Sequence, residues 1–316
     1  MVLRSLILAA LCVLLSGCSR QSSASIAAET AKDGNSDWRL IWSDEFDGDS
    51  LDRSKWEPEQ SCWGGGNNER QCYTDRPKNI KIKDGMLSLI AKPETFTGPK
   101  YPQDWTDRGE PATQPYTSGK VRTKGLASWQ YGRFEARMKL PKGQSTWSAF
   151  WMMSEHDRYG KWPRSGEIDI MESVNLGTTC DDCGDGGVEN RISGALHFGK
   201  DWPENEFHTQ EVALASDVIP SESFHIFSVE WQKDRIDWFV DGEKYFSLNA
   251  SDWSTVTVSK ADNAYAPFDQ PFYVMLNLAV GGNLPDGRNE QQFNPNNFPA
   301  ELLVDWVRVY TQEKSQ

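Results

Sequence analysis

Three carboxylates fall within six residues in Glu167-Ile168-Asp169-Ile170-Met171-Glu172, and only one backbone geometry separates them from the apolar side chains between. On an α-helix, at about 100° per residue, Glu167 would sit inside the arc of Ile168, Ile170 and Met171, so no face would be cleanly apolar. On a strand, Glu167 and Asp169 share one face, and Ile168 and Ile170 the other. Strict alternation would then expose Met171 and drive Glu172 into the apolar face, where an unpaired charge is costly. A β-bulge near Ile170-Met171 returns Glu172 to the side of Glu167 and Asp169, and bulges are common beside active sites. The spacing predicts a bulged strand that shows a row of three carboxylates.

Like charges in a row raise one another's pKa values, an arrangement suited to holding and then releasing a proton. Paired carboxylates are the equipment of glycoside hydrolysis. One acts as acid and then base while the other attacks the anomeric carbon, provided that the carboxyl groups lie about 5 to 5.5 Å apart. Five strand steps span about 16 Å between Cα atoms, so the bulge and a concave bend must bring the two Glu side chains together. A cation site and a solvated acidic strand edge are the alternatives.

The longer run Trp162-Pro163-Arg164-Ser165-Gly166-Glu167-Ile168-Asp169-Ile170-Met171-Glu172 resembles the signature of glycoside hydrolase family 16, in its laminarinase-like branch with the bulged E-x-D-x-x-E pattern. The resemblance implies Glu167 as nucleophile, Glu172 as acid/base and Asp169 as the hydrogen-bonding neighbour that tunes Glu167. Spacing alone does not say which Glu is which. The loop from Trp63 to Arg70 resembles one that borders the glycone side of the family's cleft, with Asn68 a sugar contact. Tyr116 to Arg122 resembles a cleft strand, with Arg122 a substrate or carboxylate partner. Trp147 and Trp151, in Trp147-Ser148-Ala149-Phe150-Trp151, match cleft positions, as does Trp162, although Ser148 stands where the family has Pro. His197, in Ala195-Leu196-His197-Phe198-Gly199, matches a substrate-side position. Family members often hold a structural Ca²⁺ away from the cleft. Its ligands carry over to the neighbourhood of Glu45, Gly85 and Asp305, partly through backbone oxygens, as suits a hard cation. Catalysis itself needs no cofactor.

Three features of the whole chain bound the setting of these residues. The 316 residues are 38% hydrophobic and 12% aromatic, enough for one sizeable core in one all-β domain. A formal net charge of -13 disfavours nucleic acid and acidic polysaccharides and suits a neutral glycan. Fourteen Trp and nine Tyr exceed what a core needs, which fits sugar faces stacking on rings. Residues 1–17 carry Arg4 and then the apolar run Leu6 to Leu15, too short to span a bilayer, and read as an export signal. Leu15-Ser16-Gly17-Cys18 resembles a bacterial lipobox, with Cys18 lipidated. Ser19 lacks the Asp that retains lipoproteins in the inner membrane, so the expectation is an outer-membrane lipoprotein of a Gram-negative bacterium, or else a periplasmic or secreted protein. Residues 18–36 are Ser/Ala-rich and read as a flexible tether.

Cys62, Cys72, Cys180 and Cys183 remain in the mature chain. An even number in an exported protein favours disulfides, with three connectivities possible. The favoured one is Cys62 with Cys72 and Cys180 with Cys183, and a four-Cys zinc site is the alternative. No metal-binding His pair and no nucleotide loop is present.

From 37 to 312 the chain reads as strands joined by irregular loops. Ile80 and Ile82 alternate with lysines, Asp84-Gly85 makes a hairpin turn, and Leu87 and Leu89 lead back. Phe134, Ala136, Met138 and Leu140 alternate with Arg133, Glu135, Arg137 and Lys139, giving one buried and one wet face. Phe224 to Trp231 and Arg235 to Val240 form a second hairpin, closed by Lys233-Asp234. Phe272 to Val280 and Leu302 to Tyr310 are apolar on both faces, as in the middle of stacked sheets. Residues 174–189 look like an insertion over the cleft. The expectation is a β-sandwich jelly roll, concanavalin A-like, with an open concave substrate cleft. The expected activity is a retaining endo-β-1,3-glucanase acting as a monomer on a neutral β-glucan, with membrane contact only through an N-terminal lipid. Mixed-linkage β-glucanase, agarase and a non-catalytic glycan-binding lectin are the alternatives.

Overall fold

Seventeen strands are found among the residues that the computed structural model describes, which are 38–181, 183, 187–215, 219–289 and 292–312. The expected export signal (1–17), Cys18 and the tether (18–36) lie outside the described residues. In chain order the strands begin with β1 (Trp38–Asp44), β2 (Glu57–Pro58), β3 (Gln71–Tyr73), β4 (Ile80–Lys83), β5 (Met86–Gly98) and β6 (Ala112–Ser118). Then come β7 (Lys120–Arg122), β8 (Gly132–Lys139), β9 (Thr146–Ser154), β10 (Glu167–Val174), β11 (Arg191–Phe198) and β12 (Glu206–Ala213). The last five are β13 (His225–Trp231), β14 (Arg235–Val240), β15 (Glu243–Asn249), β16 (Phe272–Val280) and β17 (Ala300–Gln312).

They form two open sheets, the two layers of a jelly-roll β-sandwich. The first runs β15-β14-β13-β8-β17-β5-β6-β3, with β1 also on β17 and β4 on β5. The second runs β12-β11-β10-β9-β16-β7-β2 and carries the carboxylates. One core lies between them: Phe134, Ala136, Met138, Phe227 and Val229 from the first sheet meet Phe150, Met152, Ile168, Ile170, Leu196 and Leu276 from the second. β16 is buried along its whole length, as its continuous apolar sequence predicts for a strand covered on both sides.

Three departures from the alternation pattern have physical causes. β17 is not covered on both faces: Val304, Val307 and Val309 point into the core, while Arg308 on the outer side pairs with Glu45 and stacks 4.1 Å from the Trp306 ring. Glu135 on β8 is buried because Arg133 neutralises it at 2.5 Å. Finally, Tyr116 to Arg122 is not one strand. The chain crosses from the first sheet (β6) to the second (β7) at Gly119, where any Cβ would lie 2.6 Å from the Asn79 carbonyl oxygen. Only glycine permits that approach.

The bulge expected in β10 is present. Asp169 stands opposite Trp151 of β9 but Met171 stands opposite Phe150, so Ile170 is the extra residue, and the register with β11 slips in the same interval. Ile168, Ile170 and Met171 all end up in the core, at 0 to 1% exposure. A hydrogen bond from the opposite sheet pins the bulge: Trp238 of β14, fully buried, donates its indole N–H to the Asp169 carbonyl at 2.8 Å. Gly194 on β11 leaves the room that this indole fills, since a Cβ there would collide with the Trp238 ring. Trp238→Phe keeps most of the apolar contact and removes the donor. It should cost about 1 to 3 kcal/mol of stability and lower turnover with it, as read by chemical denaturation and activity. An unchanged denaturation midpoint would show that the bulge needs no such tie.

Candidate active site

β10 presents its three carboxylates on the outer face of the second sheet, and the strands beside it supply their partners. His197 of β11 lies opposite Glu167, and its Nε2 sits 3.3 Å from Asp169 Oδ2. On the other side Trp147 of β9 donates its indole N–H to Glu172 Oε1 at 2.9 Å. Trp151, opposite Asp169, donates to Asn277 Oδ1 on β16 at 2.7 Å. Its ring lies 4.7 Å beneath the Lys120 ammonium. Trp162, 38% exposed, precedes the strand and lies 6.3 Å from the His197 ring.

The electrostatics follow from burying acids together. Burial, then the negative charge of Asp169, pushes Glu167 up to about 8. Burial and the charge of Glu172 raise Asp169, and burial raises Glu172 against the pull of His197 and the Trp147 hydrogen bond. Burial alone would lower His197, but its contact with Asp169 and the charges of all three carboxylates outweigh that and lift it to about 10. The imidazole is therefore a cation at neutral pH, placed where it offsets the carboxylate row.

The other sequence-derived positions divide. Asn68 is exposed, and its side chain donates to Asn283 at 2.9 Å beside the short helix Asn283–Gly287. Of the two roles expected for Arg122, substrate contact or carboxylate partner, the structure shows the second. It lies in register with Met275, Trp151 and Asp169 across the outer face, yet it is only 3% exposed. Its guanidinium is occupied by Glu57 at 2.7 Å and Asp104 at 2.9 Å. It partners carboxylates of the floor and leaves no donor surface for a sugar.

For metals, the strand registers bring Glu45, Gly85 and Asp305 to one place. β1 and β5 both pair with β17, on either side of its irregularity between Val304 and Trp306. The Glu45 carboxylate is taken by Arg308 at 3.0 and 2.8 Å, and Asp305 Oδ2 is paired with Arg137. These pairings leave one Asp305 oxygen among the side chains, so further ligands for a hard cation would have to be main-chain oxygens. Two further clusters have ligand-like spacing. Glu167, Asp169 and His197 form one, but the imidazolium already supplies its positive charge. Cys180, Cys183 and Glu189 form the other. There the cysteines are joined to each other, as are Cys62 and Cys72, so the four-thiolate zinc site does not exist.

Four residues of this neighbourhood escaped sequence reasoning. Phe207 of β12 is 58% exposed and stacks on His197, centroids 5.6 Å apart and planes 22° apart, holding the cation against Asp169. β12 is an edge strand exposed along most of its length, so its sequence lacks the alternation that would have revealed it. Trp238 acts from the opposite sheet, and no local pattern reports that. Asn277 sits in an apolar run, where a lone polar residue at a covered position was the available signal, whereas Lys120 lies among the polar residues leading to Arg122, which give no such signal.

A β-sandwich that keeps three acids and a set of indoles together on one outer face defines a carbohydrate-processing protein. Residues 38–312 match the family described as "Beta-porphyranase A-D, GH16 domain". A β-glucanase of Rhodothermus marinus is 37% identical over 86% of this chain and 85% of its own length. A glucan endo-1,3-β-glucosidase A1 of Niallia circulans is 36% identical over 87% of this chain, which spans only 38% of that relative. The crystal structure of the laminarinase from Rhodothermus marinus superposes with a TM-score of 0.70 at 34% identity, covering 86% of this chain and 97% of that one. The chain belongs to glycoside hydrolase family 16.

Glu167 and His197 both hold protons more tightly in the folded chain than in the unfolded one, so each stabilises the fold at low pH. Glu167's contribution is lost as pH rises from about 4.5 to about 8, and that of His197 as pH rises from 6.5 to about 10. Wild-type stability should therefore fall between pH 5 and pH 9 by at most about 1.4 kcal/mol per pH unit per proton. Glu167→Gln should flatten the slope and melt higher above pH 7. Parallel melting profiles for the two proteins across that range would contradict the buried-proton account.

Proposed function

We propose that the protein is a retaining endo-β-1,3-glucanase acting on neutral, laminarin-like β-glucan. The observation that carries this is the bulge, which sets Glu167 and Glu172 on one face with Asp169 between them. Glu172, half-buried and with its pKa raised, holds the proton that it delivers to the leaving glycosidic oxygen. Glu167 attacks the anomeric carbon. The proton shared within the Glu167–Asp169 pair shifts to Asp169 as positive charge develops on the sugar, which draws Glu167 into its anionic form. The glycosyl-enzyme bond then breaks as Glu172, now a base, takes a proton from water and the water oxygen attacks the same carbon. The bond C–O(Glu167) is exchanged for C–OH, and the anomeric configuration is retained. In this reading Trp147 orients Glu172, His197 offsets the row's charge, and Trp151, Trp162 and Asn68 contact the sugar.

The glucanases among the relatives support the β-1,3-glucan reading, while the family description, which names β-porphyranases, keeps galactan-type substrates within the test. A lectin needs no buried proton donor beside a second acid, and the raised pKa values of all three carboxylates favour an enzyme. Export, with Cys18 lipidated and residues 18–36 as tether to a catalytic domain over 37–312, completes the proposal, as does a monomeric state. A Ca²⁺ ion held by the carbonyls of Glu45 and Gly85 and by Asp305 would clamp β1 and β5 to β17 and take no part in the chemistry.

Hydrolysis of laminarin, barley glucan, agarose and porphyran, followed by product chromatography, should show laminarin cut internally and the others slowly or not at all. Glu167→Gln should abolish turnover while the near-UV circular dichroism stays unchanged. Unaltered activity in that variant would remove Glu167 from its role, and agarose or porphyran as the preferred polymer would replace the substrate. For the ion, Ca²⁺ added to chelator-treated protein should raise Tm by about 3 °C or more, from binding worth about 1 to 3 kcal/mol. An unchanged Tm at millimolar Ca²⁺ would dismiss the site.

A further inference from the structure

The loop between β5 and β6 carries an aromatic cluster that the chemistry above does not use. Tyr101 and Trp105 stack with centroids 5.0 Å apart and planes 21° apart, and Trp63 closes on them at 6.2 and 5.4 Å. None of the three belongs to the sandwich core or packs against it, and Trp105 is 45% exposed. Rings that add nothing to the core and remain wet cost solvation, which a ligand covering them would recover.

The loop is fixed in place rather than loosely laid on the surface. The Gln103 side chain accepts the Gln60 N–H at 3.0 Å and donates to the Pro58 carbonyl of β2 at 2.8 Å. Arg108 donates to the Tyr101 carbonyl at 2.9 Å and to that of Gln60 at 3.2 Å. Asp104, beside Trp105, accepts from Arg122 at 2.9 Å and from Lys124 at 2.7 Å. Such preorganisation is what a binding surface needs, because little freedom is left to lose on contact.

The Asp104 contact also places the rings. Asp169, Trp151, Met275, Arg122 and Glu57 form one row straight across the second sheet, on the face that bears the carboxylates. Four strand spacings separate β10 from β2, about 19 Å. Asp104 reaches Arg122 in that row, so the cluster stands at the far end of the same face, on the side of the loop that holds Asn68.

We propose that Trp63, Tyr101 and Trp105 form a remote sugar platform, on which a pyranose ring of the polymer stacks several units from the bond that is cut. The proposal rests on the glucanase reading and adds to it a preference for long chains. The occupant is a neutral polysaccharide. Of the cations near the cluster, Arg122 and Lys124 are committed to carboxylates, Arg108 donates to main-chain carbonyls and Lys100 lies 5.1 Å from the Tyr101 ring, while the formal net charge of -13 opposes the approach of an acidic glycan.

The test compares wild type, Trp105→Ala and Trp105→Phe on laminarin and on a linear β-1,3-linked tetrasaccharide too short to reach the rings from the carboxylates. The polymer-to-tetrasaccharide ratio of kcat/KM should fall about tenfold in Trp105→Ala, a change of about 1.4 kcal/mol, chiefly through KM, and should recover in Trp105→Phe. An unchanged ratio, or equal losses on both substrates, overturns the platform. Retardation of Glu167→Gln and of Glu167→Gln/Trp105→Ala in laminarin-containing gels reads the platform without turnover, and equal retardation refutes it. Failure of wild type to cut laminarin would instead count against the glucanase reading, and the same ratio is then read on the polymer that it does cut.

Discussion

One inserted residue governs this site. Without Ile170 in the bulge, β10 would place Glu172 on the core side, opposite Glu167, and bury a charge among Phe150, Met152 and Leu196. With it, Ile168, Ile170 and Met171 all reach the core while the acids share the outer face. The fold defends this local irregularity from both sides. The Trp238 indole holds the bulge carbonyl from the opposite sheet, and Gly194 makes the space for that indole.

The second constraint is electrostatic. Three carboxylates in a row, Asp169 buried and the two glutamates half-buried, are unfavourable together, and the strain is relieved by a protonated His197 and by retained protons. His197 is kept in position by Asp169 beneath it and Phe207 stacked upon it. The same burial that makes the row costly keeps a proton available at neutral pH, so the instability and the chemistry have one origin.

Beyond the carboxylates, the outer face of the second sheet is a built surface from β12 to β2. Exposed Phe207 marks one edge and the Trp63, Tyr101 and Trp105 cluster the other, with Trp147, Trp151 and Trp162 between. Its polar groups are largely committed to one another: Trp151 to Asn277, Arg122 to Glu57 and Asp104. A face organised this way offers rings and a few oriented carboxyls along a line, as suits an extended neutral chain.

The sequence alone determined whatever depends on neighbours along the chain. Alternation located strands such as β4, β5 and β8, Asp84-Gly85 the hairpin turn, and the misfit of Met171 and Glu172 the bulge, because burying a charge is costly enough to exclude the regular strand. Composition indicated an acidic, ring-rich protein suited to a neutral glycan. Only the tertiary structure decided what depends on partners far apart in the chain. It placed Trp238 under Asp169 and Phe207 over His197. It closed Arg122 with acids from two other segments, and it split Tyr116 to Arg122 between the two sheets at Gly119. The division is physical: side-chain periodicity reports which face a residue takes, whereas the groups it meets there are set by how two twisted sheets stack.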